Sequence, residues 1–86
     1  MKVSIPTPLR SYTAGQGEVS VDGTSLEDVL ITLDRRYPGI RFRIITEQDT
    51  IRRHIRIFVN GKLAQHLAVP VQPDDHIHIV CALSDG

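Results

Sequence analysis

Residues 55–62, Ile55-Arg56-Ile57-Phe58-Val59-Asn60-Gly61-Lys62, decide the fold. Ile55, Ile57 and Val59 alternate with Arg56 and Phe58, the period of a strand with one face buried. Asn60-Gly61 follows at once, and both residues tolerate the positive φ of a two-residue type I′ turn. The pattern predicts a tight hairpin with its return strand over residues 62–67. One face of such a hairpin is apolar and has to be covered.

The cover lies upstream. Leu26, Val29, Leu30 and Leu33 fall at i, i+3, i+4 and i+7, a single apolar stripe that predicts a helix over residues 24–37. Thr24 stands three residues before Glu27, the spacing of a capping box. Asp28 suits the first turn, and Arg35 and Arg36 suit the last. Tyr37-Pro38-Gly39 stops the helix. Downstream, Pro73-Asp74-Asp75 is a loop, and residues 76–80 form a last strand with Ile77 and Ile79 inward. At the start, Val3 and Ile5 alternate until Pro6 and Pro8 end the strand. Residues 13–17 carry turn chemistry, Val19 and Val21 alternate again, and Asp22-Gly23 turns the chain toward the helix.

One stretch stays open. Residues 40–45, Ile-Arg-Phe-Arg-Ile-Ile, alternate like a strand and equally suit a short helical turn that buries Ile40, Ile44 and Ile45. Residues 46–50 are a loop. The element order is then strand, strand, helix, irregular piece, strand, short strand, strand. This is an α+β fold of the ubiquitin-like β-grasp type, a mixed sheet of four or five strands packed on one main helix. The first and last strands have to be neighbours for the two hairpins to share one core. A first strand left at an exposed edge would allow weak dimerisation by edge pairing.

Bulk properties narrow the function. A chain of 86 residues is one small domain, burying little more than ~60% of its unfolded surface, which leaves scant room for a catalytic cavity. Ten basic and ten acidic residues cancel, so no global field draws the chain to nucleic acid. The basic residues nevertheless bunch: Arg35, Arg36, Arg41, Arg43, Arg52, Arg53 and Arg56. They form either a patch for an acidic protein partner or a solvated face balanced by Glu27, Asp28, Glu47 and Asp49. A single cysteine excludes an internal disulfide framework. No apolar run approaches the ~20 residues of a membrane span. The opening MKVSIPTPLR has neither the apolar core nor the cleavage site of a signal peptide. A cytoplasmic protein without membrane attachment is expected.

Candidate sites follow from strand parity. Arg56 and Phe58 on one strand, and His76, His78 and Val80 on the last, point away from the helix. An uncovered face containing phenylalanine suggests a protein interface over Arg56, Phe58, His78 and Val80; cover by a loop or by the irregular piece is the other reading. His76 and His78, even joined by His54 or His66, lack a cysteine or carboxylate at ligand spacing, so no metal is expected. Cys81 is a nucleophile, a sulfur acceptor or a small buried strand residue. Neither a phosphate-cradling glycine loop nor a hydrolytic triad is present in the sequence. The pattern is that of a substrate of enzymes rather than an enzyme, with no cofactor of its own.

The segments VSIPTPLRSYTAGQGEVSVDGTSLEDVL, LDRRYPGI, RIFVNGKLAQHL and PDDHIHIVCALSDG together resemble the MoaD/ThiS sulfur-carrier family. That family includes the molybdopterin synthase small subunit, the thiamine carrier and the carriers for cysteine biosynthesis. The resemblance spans essentially the whole chain and rests on the order and spacing of these segments. It implies a β-grasp domain over residues 1–81 and a flexible tail over 82–86. A ubiquitin-activating-type adenylating enzyme would spend ATP on the carboxylate of Gly86, and sulfur would replace AMP to give a thiocarboxylate. A sulfur-accepting synthase subunit would then take the sulfur. Glycine suits such a terminus because it enters a narrow channel without side-chain clash. Ala82, Leu83, Ser84 and Asp85 would present it, an extended reach of roughly 20 Å. The family pattern has glycine where Asp85 stands, and proline in many members where Cys81 stands. A charge at Asp85 needs either a basic pocket in the activating enzyme or a chain that works as a non-activated binding module or protein modifier.

Overall fold

The structure, a computed structural model, describes residues 1–81. The alternating segments become β1 (Lys2–Ser4), β2 (Glu18–Ser20), β3 (Ile55–Val59), β4 (Lys62–Ala64) and β5 (His76–Cys81). They form one five-stranded sheet in the order β2-β1-β5-β3-β4. β1 runs parallel to β5, and the other pairs are antiparallel. The sheet is the mixed sheet expected, and the two hairpins meet through the last strand.

Register explains the core. Val19 faces Val3, Val3 faces Ile77, and Ile77 faces Val59 across three successive ladders. This row lies on one side of the sheet and is buried. The helix α1 (Leu26–Arg36) supplies Leu26, Val29, Leu30 and Leu33, all fully buried, to the same core. Each such side chain contributes about 1.5–3 kcal/mol of hydrophobic stabilisation, as an upper figure.

The turn residues behave as their chemistry dictates. Asn60 and Gly61 sit at φ 51° and 84°, the left-handed pair of a type I′ turn. Asn60 also ties the hairpin to the start of β5. Its Nδ2 donates to Asp75 Oδ1 at 2.7 Å, and its Oδ1 accepts from the His76 N–H at 2.9 Å.

The open stretch resolves as a helical turn, α2 (Ile40–Ile44). A strand would have placed Phe42 on the same side as Ile40 and Ile44. The helical turn buries Ile40, Ile44 and Ile45 and leaves Phe42 56% exposed. Gly39 enters the turn at φ 99°, and the Asp34 carboxylate accepts from the Gly39 and Arg41 N–H groups at 3.1 Å each.

Three sequence expectations need correction. The helix begins at Leu26, and its N-cap is Ser25, not Thr24; Ser25 Oγ accepts from the Asp28 N–H at 3.1 Å. The reciprocal acid is Asp28 rather than Glu27, and it accepts from the Thr24 N–H at 2.9 Å. Second, the return strand ends at Ala64. The chain leaves the ladder there because the Leu67 and Val69 carbonyls accept from the Glu27 and Leu26 N–H groups, which the first turn of α1 cannot satisfy internally. Third, residues Thr7–Thr13 form a 3-10 helix that buries Leu9 and Thr13, where the prolines suggested only a break. The condition for edge pairing through the first strand is not met, since β2 and β5 flank β1. The outer strands β2 and β4 have three residues each, and Arg36 Nη1 donates to the Ser20 carbonyl on β2.

Candidate functional site

The sheet face opposite α1 brings the expected side chains together. Phe58 lies opposite His78, and Arg56 opposite Val80, on the β3–β5 ladder. Directly opposed residues share a face, so the four form one patch. Phe58 is half-buried, Val80 is 42% exposed, and Arg56 and His78 are exposed. Arg56 folds back along its own strand, where Nη1 donates to the Arg53 and Ile55 carbonyls at 2.7 and 3.0 Å.

One member of the patch was missed. Leu63 lies opposite Phe58 on β4 and is 47% exposed. It was findable: a two-residue turn at Asn60-Gly61 pairs Val59 with Lys62, and the next pair is Phe58 with Leu63. The patch is therefore an apolar strip of Leu63, Phe58 and Val80 beside a histidine.

His78 stacks on His76, with ring centroids 4.0 Å apart and planes at 15°. His76 Nε2 lies 2.8 Å from Ser4 Oγ and 3.6 Å from Glu18 Oε2. Stacked rings direct their nitrogens along parallel planes rather than at a common point. Among the described residues no group of three or more His, Cys, Asp or Glu is placed to hold a metal ion.

The arginines divide. Arg41 reaches Glu27 at 3.6 Å and Asp49 at 3.4 Å, as a balanced solvated face requires. Arg43 instead donates from Nε to Tyr12 Oη at 2.7 Å, which raises the guanidinium above its usual range. Arg52 donates from Nε to the Phe42 carbonyl at 2.8 Å. Cys81 is half-buried at the end of β5, and desolvation pushes its thiol up. A thiol shifted that way is a poorer nucleophile at neutral pH. The expectations for Gly86 and for Ala82, Leu83, Ser84 and Asp85 lie outside the described residues. No helix among the described residues is long and apolar enough to cross a membrane.

Comparison with known proteins agrees with this frame. The chain is 34% identical to the sulfur carrier protein CysO of Mycobacterium tuberculosis, over 98% of this chain and 96% of that protein. The crystal structure of M. tuberculosis CysO superposes with a TM-score of 0.90 at 33% identity, covering 95% of this chain and 98% of that one. The matching chain in the Amycolatopsis orientalis BexX/CysO complex gives a TM-score of 0.91 at 30% identity, covering 99% and 98%. The sequence pattern of the ThiS family matches residues 3–86. The family match over residues 3–86, with 34% identity to CysO over 98% of the chain, establishes that the chain belongs to the ThiS family.

Proposed function

We propose that this protein is a sulfur carrier, most akin to those of cysteine biosynthesis. The observation that carries the reading is likeness over almost the full length to proteins named sulfur carrier CysO. The chain is itself a substrate rather than a catalyst. An adenylating enzyme joins the carboxylate of Gly86 to the AMP part of ATP and releases pyrophosphate. A sulfur nucleophile then displaces AMP and leaves a thiocarboxylate. A sulfur-accepting synthase takes that sulfur and regenerates the carboxylate. Ala82 to Asp85 present the terminus, and Asp85 meets a basic group in the activating enzyme.

The strip of Phe58, Leu63 and Val80, with Arg56 and His78 beside it, is the surface that docks these enzymes in turn. Support comes from its character: apolar side chains stay exposed on the face that α1 does not cover. That a CysO relative forms a complex with BexX agrees with a carrier working through protein partners.

The test is intact mass of the protein from its own host, with an alkylating trap for thiocarboxylate. A sulfur-for-oxygen gain that maps to Gly86 and vanishes on deletion of Gly86 supports the reading. An unmodified mass that persists with ATP and the host's adenylating enzymes overturns it. Chains linked to lysines of other proteins would identify a modifier instead.

A further inference from the structure

Beyond the apolar strip, a second surface is built around the end of β5. Two adjoining concavities share Arg43 and His54. One, of about 340 Å³, runs between Leu9, Tyr12 and Cys81; the other, of about 270 Å³, is bounded by Phe42 and Arg52. Among the described residues no carboxylate lines either one. Both arginines are held in place by contacts with aromatic residues. The Arg43 guanidinium lies 6.0 Å from the Tyr12 ring centroid, and that of Arg52 lies 4.7 Å over the Phe42 ring. Each uses Nε for its internal bond. Among the described residues their Nη groups have no hydrogen-bond or ion-pair partner. Arg41, a few residues away, is by contrast paired with two acids.

We propose that this groove docks an acidic segment of a protein partner, an extended stretch carrying Asp or Glu carboxylates beside an apolar residue. The free edge of a guanidinium fork matches a carboxylate in two parallel hydrogen bonds. The hydrogen bond of Arg43 to Tyr12 and the seat of Arg52 over Phe42 fix the forks beforehand, so less rotamer freedom is lost on binding. Phe42, more than half exposed, offers an apolar contact next to the charges. The unmatched charge is local, since the chain as a whole is neutral. Such a surface suits a short acidic peptide better than the long phosphate backbone of a nucleic acid. Cys81 lines the groove, so its occupant sits beside the end of β5. Assigning the acidic segment to a tail-processing enzyme rests on the carrier reading; binding of the acid does not.

The test is a titration of the isotope-labelled full chain with the peptide acetyl-Asp-Glu-Phe-Glu-Asp-amide, followed by amide NMR shifts. Saturable shifts are expected at Tyr12, Phe42, Arg43, Arg52 and His54, with Phe58 and Leu63 unmoved. Affinity should fall at least tenfold in Arg43→Gln/Arg52→Gln, and should weaken as salt rises. If the double variant fails to fold, Arg43→Gln alone carries the test, because among the described residues the Arg43 side chain bonds only to the Tyr12 hydroxyl, at the surface. Absence of saturable shifts, or an equal response to the Asn/Gln version of the peptide, would overturn the proposal. So would tighter binding of a short single-stranded DNA at the same amides. Peptide binding that appears only after removal of residues 82–86 would assign the groove to the chain's own tail and overturn it as well. Failure of the sulfur-for-oxygen mass gain leaves these shifts unchanged, so the two readings fail separately.

Discussion

Leu63 lies directly across the β3–β4 ladder from Phe58, and nearly half of its surface is open to solvent. Exposed aliphatic groups in such a pair add little to the fold and much to a docking surface. Leu63→Ser and Val80→Ser are expected to change stability by no more than ~0.5–1 kcal/mol. The same changes should weaken binding to the adenylating enzyme about tenfold each, roughly 1.4 kcal/mol. Calorimetric melting beside surface-plasmon affinities checks both halves. A large loss of stability with unchanged affinity would remove the strip from the docking surface.

The corrected helix start makes a second expectation. Ser25→Ala removes the side-chain acceptor for the Asp28 N–H and should cost about 1 kcal/mol. Thr24→Ala should cost less, because it keeps the 2.9 Å backbone N–H bond to Asp28 and loses only a 3.5 Å hydroxyl contact. Urea unfolding of the two variants decides; the reverse order would restore Thr24 as the cap.

Asn60 makes a third. Glycine at this position keeps the positive φ of the turn but loses the side-chain bonds to Asp75 and His76. Asn60→Gly should therefore destabilise by about 1–2 kcal/mol, the net worth of such bonds. Urea midpoints should fall with little change in slope. An unchanged midpoint would mean the turn conformation is all that Asn60 supplies.

Cys81 makes a fourth. Burial raises its thiol, so the thiolate fraction near neutral pH lies below that of a free cysteine. Alkylation by iodoacetamide, followed by mass, should be slow at neutral pH and should climb with a midpoint above the ordinary thiol range. Unfolding in urea should return the rate to that of a peptide thiol. Fast alkylation of the folded protein at neutral pH would show an activated cysteine instead.

The fold was legible wherever pattern and packing agree. The stripe of Leu26, Val29, Leu30 and Leu33 and the alternation around Asn60-Gly61 each admit one regular structure. Residues 40–45 did not, because three isoleucines suit either period and only the exposure of Phe42 separates them. The short β4 was hidden for another reason: its end is dictated by free N–H groups on α1, some forty residues earlier in the chain. At the candidate site, strand parity brought Arg56, Phe58, His78 and Val80 to one face, while Leu63 needed the turn register as well. The contacts of Arg43 with Tyr12 and of Arg52 with Phe42 join separate segments, and no local pattern encodes them.

Placing β5 between β1 and β3 has a consequence for how the molecule is made. Of the five described strands, the one that comes last in the sequence is the middle of the sheet and bridges the two hairpins. An isolated hairpin is marginal in water, and the Val3–Ile77 pairing must close a loop spanning most of the chain before it is rewarded. A nascent chain that has released only β1 to β4 thus holds two unjoined ribbons. The strip of Leu63, Phe58 and Val80 does not exist in that chain, since Val80 arrives with β5. An enzyme that docked on this strip would engage only molecules whose folding has finished.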